Sequence, residues 1–104
     1  MGFVRGWGKK INLTWADLSG ANLGKANLDN ANFSNANLDS ANLKDATLQS
    51  ANFTEASLID ANLAKTNLNS ANFTKANLND CDLSQANNLA NITIKNTNFQ
   101  GSKI

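Results

Sequence analysis

The chain contains no histidine, no proline and no tyrosine, and it has a single cysteine, Cys81. Without histidine it lacks the side chain that most often serves as a general acid or base near neutral pH. One cysteine cannot form an internal disulfide, and alone it does not provide the nitrogen and sulfur ligands of a transition-metal site. These absences argue against an enzyme, and we expect no cofactor and no metal.

Charge of one sign and long apolar runs are also missing. The 104 residues carry nine basic and eight acidic side chains, a net charge of +1, so no strong field favours nucleic acid as a partner. The cluster Arg5, Trp7, Lys9 and Lys10 combines basic residues with an aromatic one, as base-stacking sites do, but we interpret it as solvating charge around a terminal cap. With no signal-peptide core and no run of roughly 20 apolar residues, we expect a cytoplasmic protein without a membrane segment.

The sequence has instead a repeat of five residues. Large apolar residues occupy every fifth position from 13 to 83, usually with Ala two residues earlier and Asn or Asp between, as in ANFSNANLDSANLKDATLQS at 31–50. A helix would rotate residues five apart by about 140°, and a straight strand would send alternate ones to opposite faces. We therefore predict a short extended piece and a corner in each repeat, with the Ala and the large apolar residue pointing inward.

Phenylalanine gives the number of repeats in one turn of the chain. Phe33, Phe53 and Phe73 are twenty residues apart. If four repeats complete a turn, the three rings lie above one another and stack. The spacing therefore predicts a four-sided coil of 20 residues.

This pattern resembles the pentapeptide-repeat family, whose motif is A(D/N)LXX. The repeats ADLSG at 16–20, ANLGK at 21–25, ANLDN at 26–30, ANLKD at 41–45 and ANLAK at 61–65 fit it. The resemblance implies an all-β fold, a right-handed quadrilateral β-helix with the central Leu or Phe and the preceding Ala inside. We expect about five coils, each rising roughly 4.8 Å.

The register slips after residue 85. The sequence ANNLA places Leu89 one residue late, and the five-residue step then continues. We interpret the slip as one inserted residue near 86–88, absorbed as a bulge or widened corner; the alternative is a β-helix that stops at residue 85. The expected core residues are Leu13, Leu18, Leu23, Leu28, Phe33, Leu38, Leu43, Leu48, Phe53, Leu58, Leu63, Leu68, Phe73, Leu78, Leu83, Leu89, Ile94 and Phe99.

Both ends of such a column expose unpaired backbone and need covering. We expect residues 1–10 to form an N-terminal cap in which Phe3 and Trp7 fold over the first coil of the β-helix at 11–104. Ile94, Phe99 and Ile104 leave the last coil apolar, so we expect it to form an end-to-end homodimer with its own copy across a two-fold axis.

The outward residues give three readings of function. The favoured one is a non-catalytic structural or protein–protein interaction module, of the short kind abundant in cyanobacteria, whose unidentified protein partner contacts Ile59 or the uncharged wall through Leu28, Leu48 and Leu68. The resemblance also implies a DNA-mimicking inhibitor or protector of DNA gyrase, although this chain lacks the negative charge of those members. The column with Thr54 and Thr74 suggests an ice-binding protein.

One column of aspartates, through Asp17, Asp39, Asp60 and Asp80, invites a metal or catalytic-pair reading. Its members occupy different offsets within their repeats and alternate with Ser and Asn. We interpret the column as a solvated face.

Overall fold

The computed structural model describes residues 10–104. There the chain forms isolated parallel bridges of one residue on each side, and most join residues twenty apart, from Asn12 with Asn32 to Asn67 with Asn87. A tight turn follows each bridge residue from 12 to 82, so one coil there takes 20 residues and has four bridges and four corners. Phe3 and Trp7, predicted to cap the first coil, lie outside the described residues.

The five positions of the repeat are numbered from the small inner residue, so that Ala is position 1, Asn position 2 and Leu or Phe position 3. Position 5 is the corner, where φ is positive in every repeat from 11 to 85. Non-glycine corners have φ between 57° and 65°, and Gly20 and Gly101 reach 69° and 78°. The N–H of the next position 1 closes the turn on the position 3 carbonyl, as Ala41 does on Leu38 at 3.0 Å.

A positive φ only at the third residue of a four-residue turn fits type II geometry. Branching at Cβ is strongly disfavoured at such a φ. The corners contain Gly, Asn, Asp, Ser, Lys, Glu and Gln, one Trp, and no β-branched residue among those at positive φ. This restriction explains why the fifth letter of the repeat varies in charge and size but is not branched at Cβ.

Hydrogen bonds between coils use the N–H groups of positions 2, 3 and 5. In the repeat 51–55, Asn52 N donates to Ala31 O at 2.9 Å, Phe53 N to Asn72 O at 2.7 Å and Glu55 N to Thr74 O at 2.9 Å. Every internal coil is therefore bonded on both sides through its backbone. The remaining N–H, at position 4, is satisfied by a side chain, as described below.

The phenylalanine column stacks as predicted. The ring centroids of Phe33 and Phe53 are 4.8 Å apart with an interplanar angle of 2°, and those of Phe53 and Phe73 are 4.9 Å apart at 5°. These distances match the spacing between neighbouring bridged strands. Leu13 lies in the same column before the rings and Ile94 after them, because Asn12 pairs with Asn32 and Asn72 with Thr93.

Burial of the inner residues depends on the coil. The position 3 residues from Leu28 to Leu83 are buried, as are Thr66 and Cys81, which replace Ala at position 1. In the first coil Leu13, Leu18 and Leu23 are only partly buried, and near the other end so are Leu89 and Phe99. These five residues lie at the two ends of the described part of the chain. Ile94, expected in the core, is 50% exposed, because no later coil among residues 10–104 covers it.

The extra residue is accommodated between Asn87 and Thr93. Asn67 still pairs with Asn87, twenty residues on, whereas Asn72 pairs with Thr93, twenty-one residues on. Between them, Asn88 has φ 60° and a 3-10 helix spans Leu89–Asn91. Leu89 therefore begins a helical turn rather than filling position 3 of a regular repeat, and its side chain still packs against the core.

Bridges continue beyond this turn. Asn77 pairs with Asn98 and Asp82 with Lys103, both twenty-one residues apart. The parallel pairing thus extends past residue 85, and Ile92 occupies the inner position 1 and packs against the core. Ile92 was not among the expected core residues, because those were the large apolar residues at position 3 and Ile92 lies at position 1.

Candidate functional site: the outer walls and the two ends

The column has four outer walls, named here by their side chains. The phenylalanine wall comprises the repeats at 11–15, 31–35, 51–55, 71–75 and 92–96, and the aspartate wall those at 16–20, 36–40, 56–60, 76–80 and 97–101. The lysine wall comprises 21–25, 41–45, 61–65, 81–85 and 102–104. The amide wall comprises 26–30, 46–50, 66–70 and 86–91.

The outward asparagines are hydrogen-bonded parts of the fold. The side-chain Oδ1 at position 2 accepts the N–H of position 4 in the same repeat, as Asn32 does from Ser34 at 2.9 Å and Asn42 from Lys44 at 3.0 Å. This is an Asx turn, and it satisfies the one N–H that the coil-to-coil bonds leave over. Asp17 and Asp82 serve the same way for Ser19 and Ser84, so the D/N choice in the motif follows from the shared Oδ1.

On the phenylalanine wall the position 4 hydroxyl groups donate to the same asparagine Oδ1 atoms. The Oγ atoms of Thr14, Ser34, Thr54 and Thr74 donate to the Oδ1 of the asparagine two residues earlier at 2.8, 2.7, 2.6 and 2.6 Å, respectively. Thr54 and Thr74, the candidates for an ice-binding plane, therefore have no free hydroxyl hydrogen. The ladder is regular, but it offers water only acceptor lone pairs and amide N–H groups.

Between residues 11 and 85, two repeats have no amide or carboxylate at position 2, and each is compensated from the preceding coil. Thr47 and Ser57 occupy that position, and the N–H groups of Gln49 and Ile59 are bonded by Asp29 Oδ1 at 2.9 Å and Asp39 Oδ1 at 3.0 Å. Ser57 Oγ also donates to Asp39 Oδ1.

The aspartate column is therefore not one chemical unit. Asp39 is an acceptor between coils, Asp17 is an Asx-turn acceptor, and Asp60 and Asp80 are exposed corners. Hydrogen bonds from the hydroxyl and then the N–H of Ser19 lower the pKa of Asp17. Within residues 10–104 no group of three or more His, Cys, Asp or Glu side chains is placed to hold a metal ion.

Signals for these roles were present in the sequence. Asp29 and Asp39 are the only aspartates at position 4 of the repeats, and each precedes by eighteen residues a position 2 that is neither Asn nor Asp. Recognising the coincidence required knowing that position 4 needs a side-chain acceptor, which the repeat pattern does not reveal.

The lysine wall carries both charges. Lys25, Lys44, Lys65 and Lys103 alternate along it with Asp45 and Asp82. Hydrogen bonds from Ser84, with smaller contributions from Lys103 and Lys44, lower the pKa of Asp82. An open depression surrounds Gly24, between Asn22, Asn42, Lys44 and Asp45. It lies where Gly24 has no side chain, and it is a surface feature and not an enclosed cavity.

Cys81 lies inside the column and is buried. Burial, with the nearby carboxylates of Asp82 and Asp60, raises the pKa of its thiol to about 12. The thiolate required of a nucleophile or metal ligand is thus disfavoured at neutral pH.

Exposed large apolar side chains in the described part of the chain lie near its two ends. They are Ile11 at 42% and Trp15 at 76% in the first coil, and Ile94 at 50% and Ile104 at 78% in the last. Ile59, expected as a contact residue on a wall, is only partly exposed. Among residues 10–104, no helix has the length and apolar character needed to cross a membrane.

Comparison with known proteins agrees with this architecture. Eight copies of the family model for pentapeptide repeats match residues 11–49 and 51–87. A pentapeptide repeat protein from the thylakoid lumen of Arabidopsis thaliana is 35% identical over 86% of this chain and 62% of its own, with a TM-score of 0.83. Rfr23 from the cyanobacterium Cyanothece 51142 is 34% identical over 91% of this chain and 60% of its own, with a TM-score of 0.71.

The chain thus spans about three-fifths of the length of these two structures. QnrB1, a plasmid-mediated fluoroquinolone resistance protein, is 22% identical over 89% of this chain and 62% of its own, but its TM-score of 0.39 carries no functional weight. No curated protein matches. The two closer likenesses imply a right-handed β-helix, and the chain belongs to the pentapeptide-repeat family.

Proposed function

We propose that the chain is a non-catalytic structural or protein–protein interaction module, a quadrilateral column of about five coils. Its support is the location of the exposed large apolar side chains, which lie near the two ends of the described column. On the walls between them, many polar side chains are already hydrogen-bonded within the fold: they accept backbone N–H groups in the Asx turns and, at Asp29 and Asp39, between coils. An end of the column is therefore the surface on which we expect a protein to dock.

The last coil is the surface we assign to an end-to-end homodimer. One coil earlier, the N–H groups of Phe73, Lys75, Leu78 and Asp80 all donate to carbonyls of the last coil. Within the described residues, the equivalent N–H groups in the last coil have no backbone acceptor; they belong to Ile94, Asn96, Phe99 and Gly101.

The same face also offers acceptors. The carbonyls of Ile92, Thr97 and Ser102 correspond to position 1 carbonyls that accept an N–H from the following coil elsewhere in the column. A face with both donors and acceptors around an apolar centre can pair with its own copy across a two-fold axis. Because the contact would be limited to a single coil face, we expect a dimer that depends on concentration.

Light scattering over a hundredfold range of concentration tests this proposal. We expect a mass that rises from monomer to dimer, and we expect Ile104→Asp to keep the chain monomeric. The side chain of Ile104 is 78% exposed, so its replacement should leave folding intact; Ile94→Asp tests the same face nearer its centre. Ile11→Asp, at the other end, is the matched control. A monomer at all concentrations, or dimers unaffected by Ile104→Asp and Ile94→Asp, would contradict the assignment.

No specific observation favours either alternative function, gyrase inhibition or ice binding. A DNA-mimicking gyrase inhibitor is expected to carry negative surface charge, whereas here the aspartate wall is acidic but the adjacent lysine wall carries Lys25, Lys44, Lys65 and Lys103. An ice-binding plane is weakened by the committed hydroxyls of Thr54 and Thr74.

A further inference from the structure

The lysine wall lies between two corners of opposite charge. Positions 4 and 5 of each repeat form the turn that leads into the next wall, so every wall is bordered by two columns of corner residues. The entering edge of the lysine wall is defined here as positions 4 and 5 of the aspartate-wall repeats, and its leaving edge as positions 4 and 5 of its own repeats. The charges of these two edges determine which surface can dock on the wall between them.

The entering edge is acidic. Asp39, Asp60 and Asp80 lie on it in three successive coils, and between positions 19 and 101 this edge includes no lysine or arginine. Asp60 and Asp80 are exposed. Asp39 uses Oδ1 for its bonds to the next coil, and the group still contributes its negative charge to the edge.

The leaving edge is basic. Lys25, Lys44 and Lys65 lie on it in three successive coils, together with one carboxylate, Asp45, and all four side chains are exposed. In the third coil the two edges carry single charges of opposite sign, Asp60 on the entering edge and Lys65 on the leaving edge.

The middle of the wall allows a second surface to approach. Gly24 and Ala64 stand at position 4 of its repeats with small side chains, and Ala64 is only 7% exposed. Farther along the wall Asp82 is bridged to Lys103, so the two charges in its middle offset each other. Charged groups on the two edges can therefore reach a neighbouring surface.

We propose that the lysine wall is an interface between two copies of this chain, which lie side by side and point in the same direction. A two-fold axis parallel to the column exchanges the two edges, so the entering edge of one copy faces the leaving edge of the other. Asp60 of one copy then faces Lys65 of the other at the third coil. At the second coil Asp39 faces Lys44, and each pair occurs twice by symmetry.

Charge disfavours other side-by-side arrangements. A two-fold axis running across the lysine wall would set each edge against its own copy, acid on acid and base on base. On the aspartate wall, whose entering edge carries Glu55, a parallel axis would set Glu55 against Asp60. On the amide wall the leaving edge has a single charged residue, Asp29. Of these three walls, the lysine wall is the one whose edges complement each other through more than one coil.

The ion pairs across this interface are exposed, so the dimer is weak and depends on salt. Exposed ion pairs contribute little singly, and surface charges are screened over about 10 Å at 0.1 M salt. At physiological salt the contact is therefore largely suppressed, and light scattering on the last coil remains a separate measurement. To isolate the wall, all variants are made in the Ile104→Asp background, which we expect not to pair through the last coil.

Sedimentation velocity at low and high salt tests the proposal. We expect dimers at about 20 mM NaCl and a dissociation constant roughly tenfold higher at about 500 mM. At low salt, Lys65→Asp and Asp60→Lys should each raise this constant about fivefold, because each acts at two symmetry-related pairs. Both substitutions suit the backbone, since Asp45 and Lys75 already occupy corners with φ of 62° and 59°. The matched controls are Lys75→Asp and Glu55→Lys, which make the same charge changes at a corner column that does not border the lysine wall.

Mixing the two charge variants is the more specific test. Asp60→Lys leaves both edges basic at the third coil and Lys65→Asp leaves both acidic, so each variant repels its own copy while the two complement each other. An equimolar mixture should therefore associate at low salt as the Ile104→Asp protein does. A monomer at low salt, equal effects of the controls, association that neither salt nor these charges alter, or a mixture that does not associate would overturn the proposal. These outcomes concern the wall, so they can fail while the dimer at the last coil stands, and the reverse.

Discussion

Asp39 Oδ1 accepts the backbone N–H of Ile59, one coil later, at 3.0 Å. In most repeats this N–H is bonded by an asparagine of its own repeat, but here that position is Ser57, whose hydroxyl donates to the same carboxylate oxygen. The carboxylate of Asp39 thus takes the role that the position 2 amide has in other repeats, although Asp39 lies eighteen residues before Ser57 in the sequence. A residue that looks like surface charge in the sequence is a connection between coils.

Replacing this acceptor should destabilise the column. We expect Asp39→Ala to lower the free energy of unfolding by about 1–3 kcal/mol, because the N–H of Ile59 is left unpaired in a partly buried place. Urea denaturation measures the change. Asp60→Ala, at an exposed corner, is the control and should alter stability by less than about 0.5 kcal/mol.

A second substitution that rescues Asp39→Ala would be a more specific test than the loss of stability alone. Ser57→Asn introduces the Oδ1 that the other repeats use, so in the Asp39→Ala background it should restore most of the lost stability. The two substitutions share one N–H and should be strongly non-additive. Additive effects would show that Asp39 and the position 2 side chain do not serve the same donor.

Sequence periodicity was enough to predict the coil and its phenylalanine column, because a five-residue step excludes helices and straight strands and the Phe spacing counts the sides. It was not enough for position 4, since the need for an acceptor appears only when each N–H has been assigned a partner. The pattern also gave the insertion only approximately, near 86–88; in the structure Asn67 pairs with Asn87 and the 3-10 helix at Leu89–Asn91 follows. Ile94 was predicted buried because the pattern specifies direction and not whether another coil follows.

The stacked rings should make Phe53 the most costly inner residue to truncate. Phe33 and Phe73 lie 4.8 and 4.9 Å from it, and their backbone bonds prevent them from moving into the gap. We expect Phe53→Ala to cost on the order of 3–5 kcal/mol. Phe53→Leu, which restores the side chain found at position 3 in most repeats, should cost less than half as much. A loss below 1 kcal/mol for Phe53→Ala in urea denaturation would count against a rigid column.

The positive φ at the corners should make them sensitive to shape and tolerant of charge. Lys65 has φ 59°, and we expect Lys65→Val to cost about 1–3 kcal/mol, because a β-branched side chain is strained there. Lys65→Gly relieves the strain but adds freedom to the unfolded chain, so its net effect should stay within about 1 kcal/mol. Lys44→Val, at position 4 and outside the positive-φ set, is the control. Equal losses at Lys65 and Lys44 would exclude backbone strain as the cause.

The buried thiol of Cys81 should make stability depend on alkaline pH. Burial raises its pKa from 9.0 to about 12 in the folded protein, so between these values the unfolded chain releases a proton that the folded chain keeps. The folded state then binds more protons, and the free energy of unfolding falls as pH rises, by at most about 1.4 kcal/mol per pH unit from this group. The measure is the difference from Cys81→Ala, which carries the usual position 1 residue. We expect the unmodified protein to lose stability more steeply than this variant in urea melts from pH 8.5 to 11, and to react with thiol reagents only on unfolding. Parallel pH profiles, or rapid labelling of the native protein, would place the thiol at the surface.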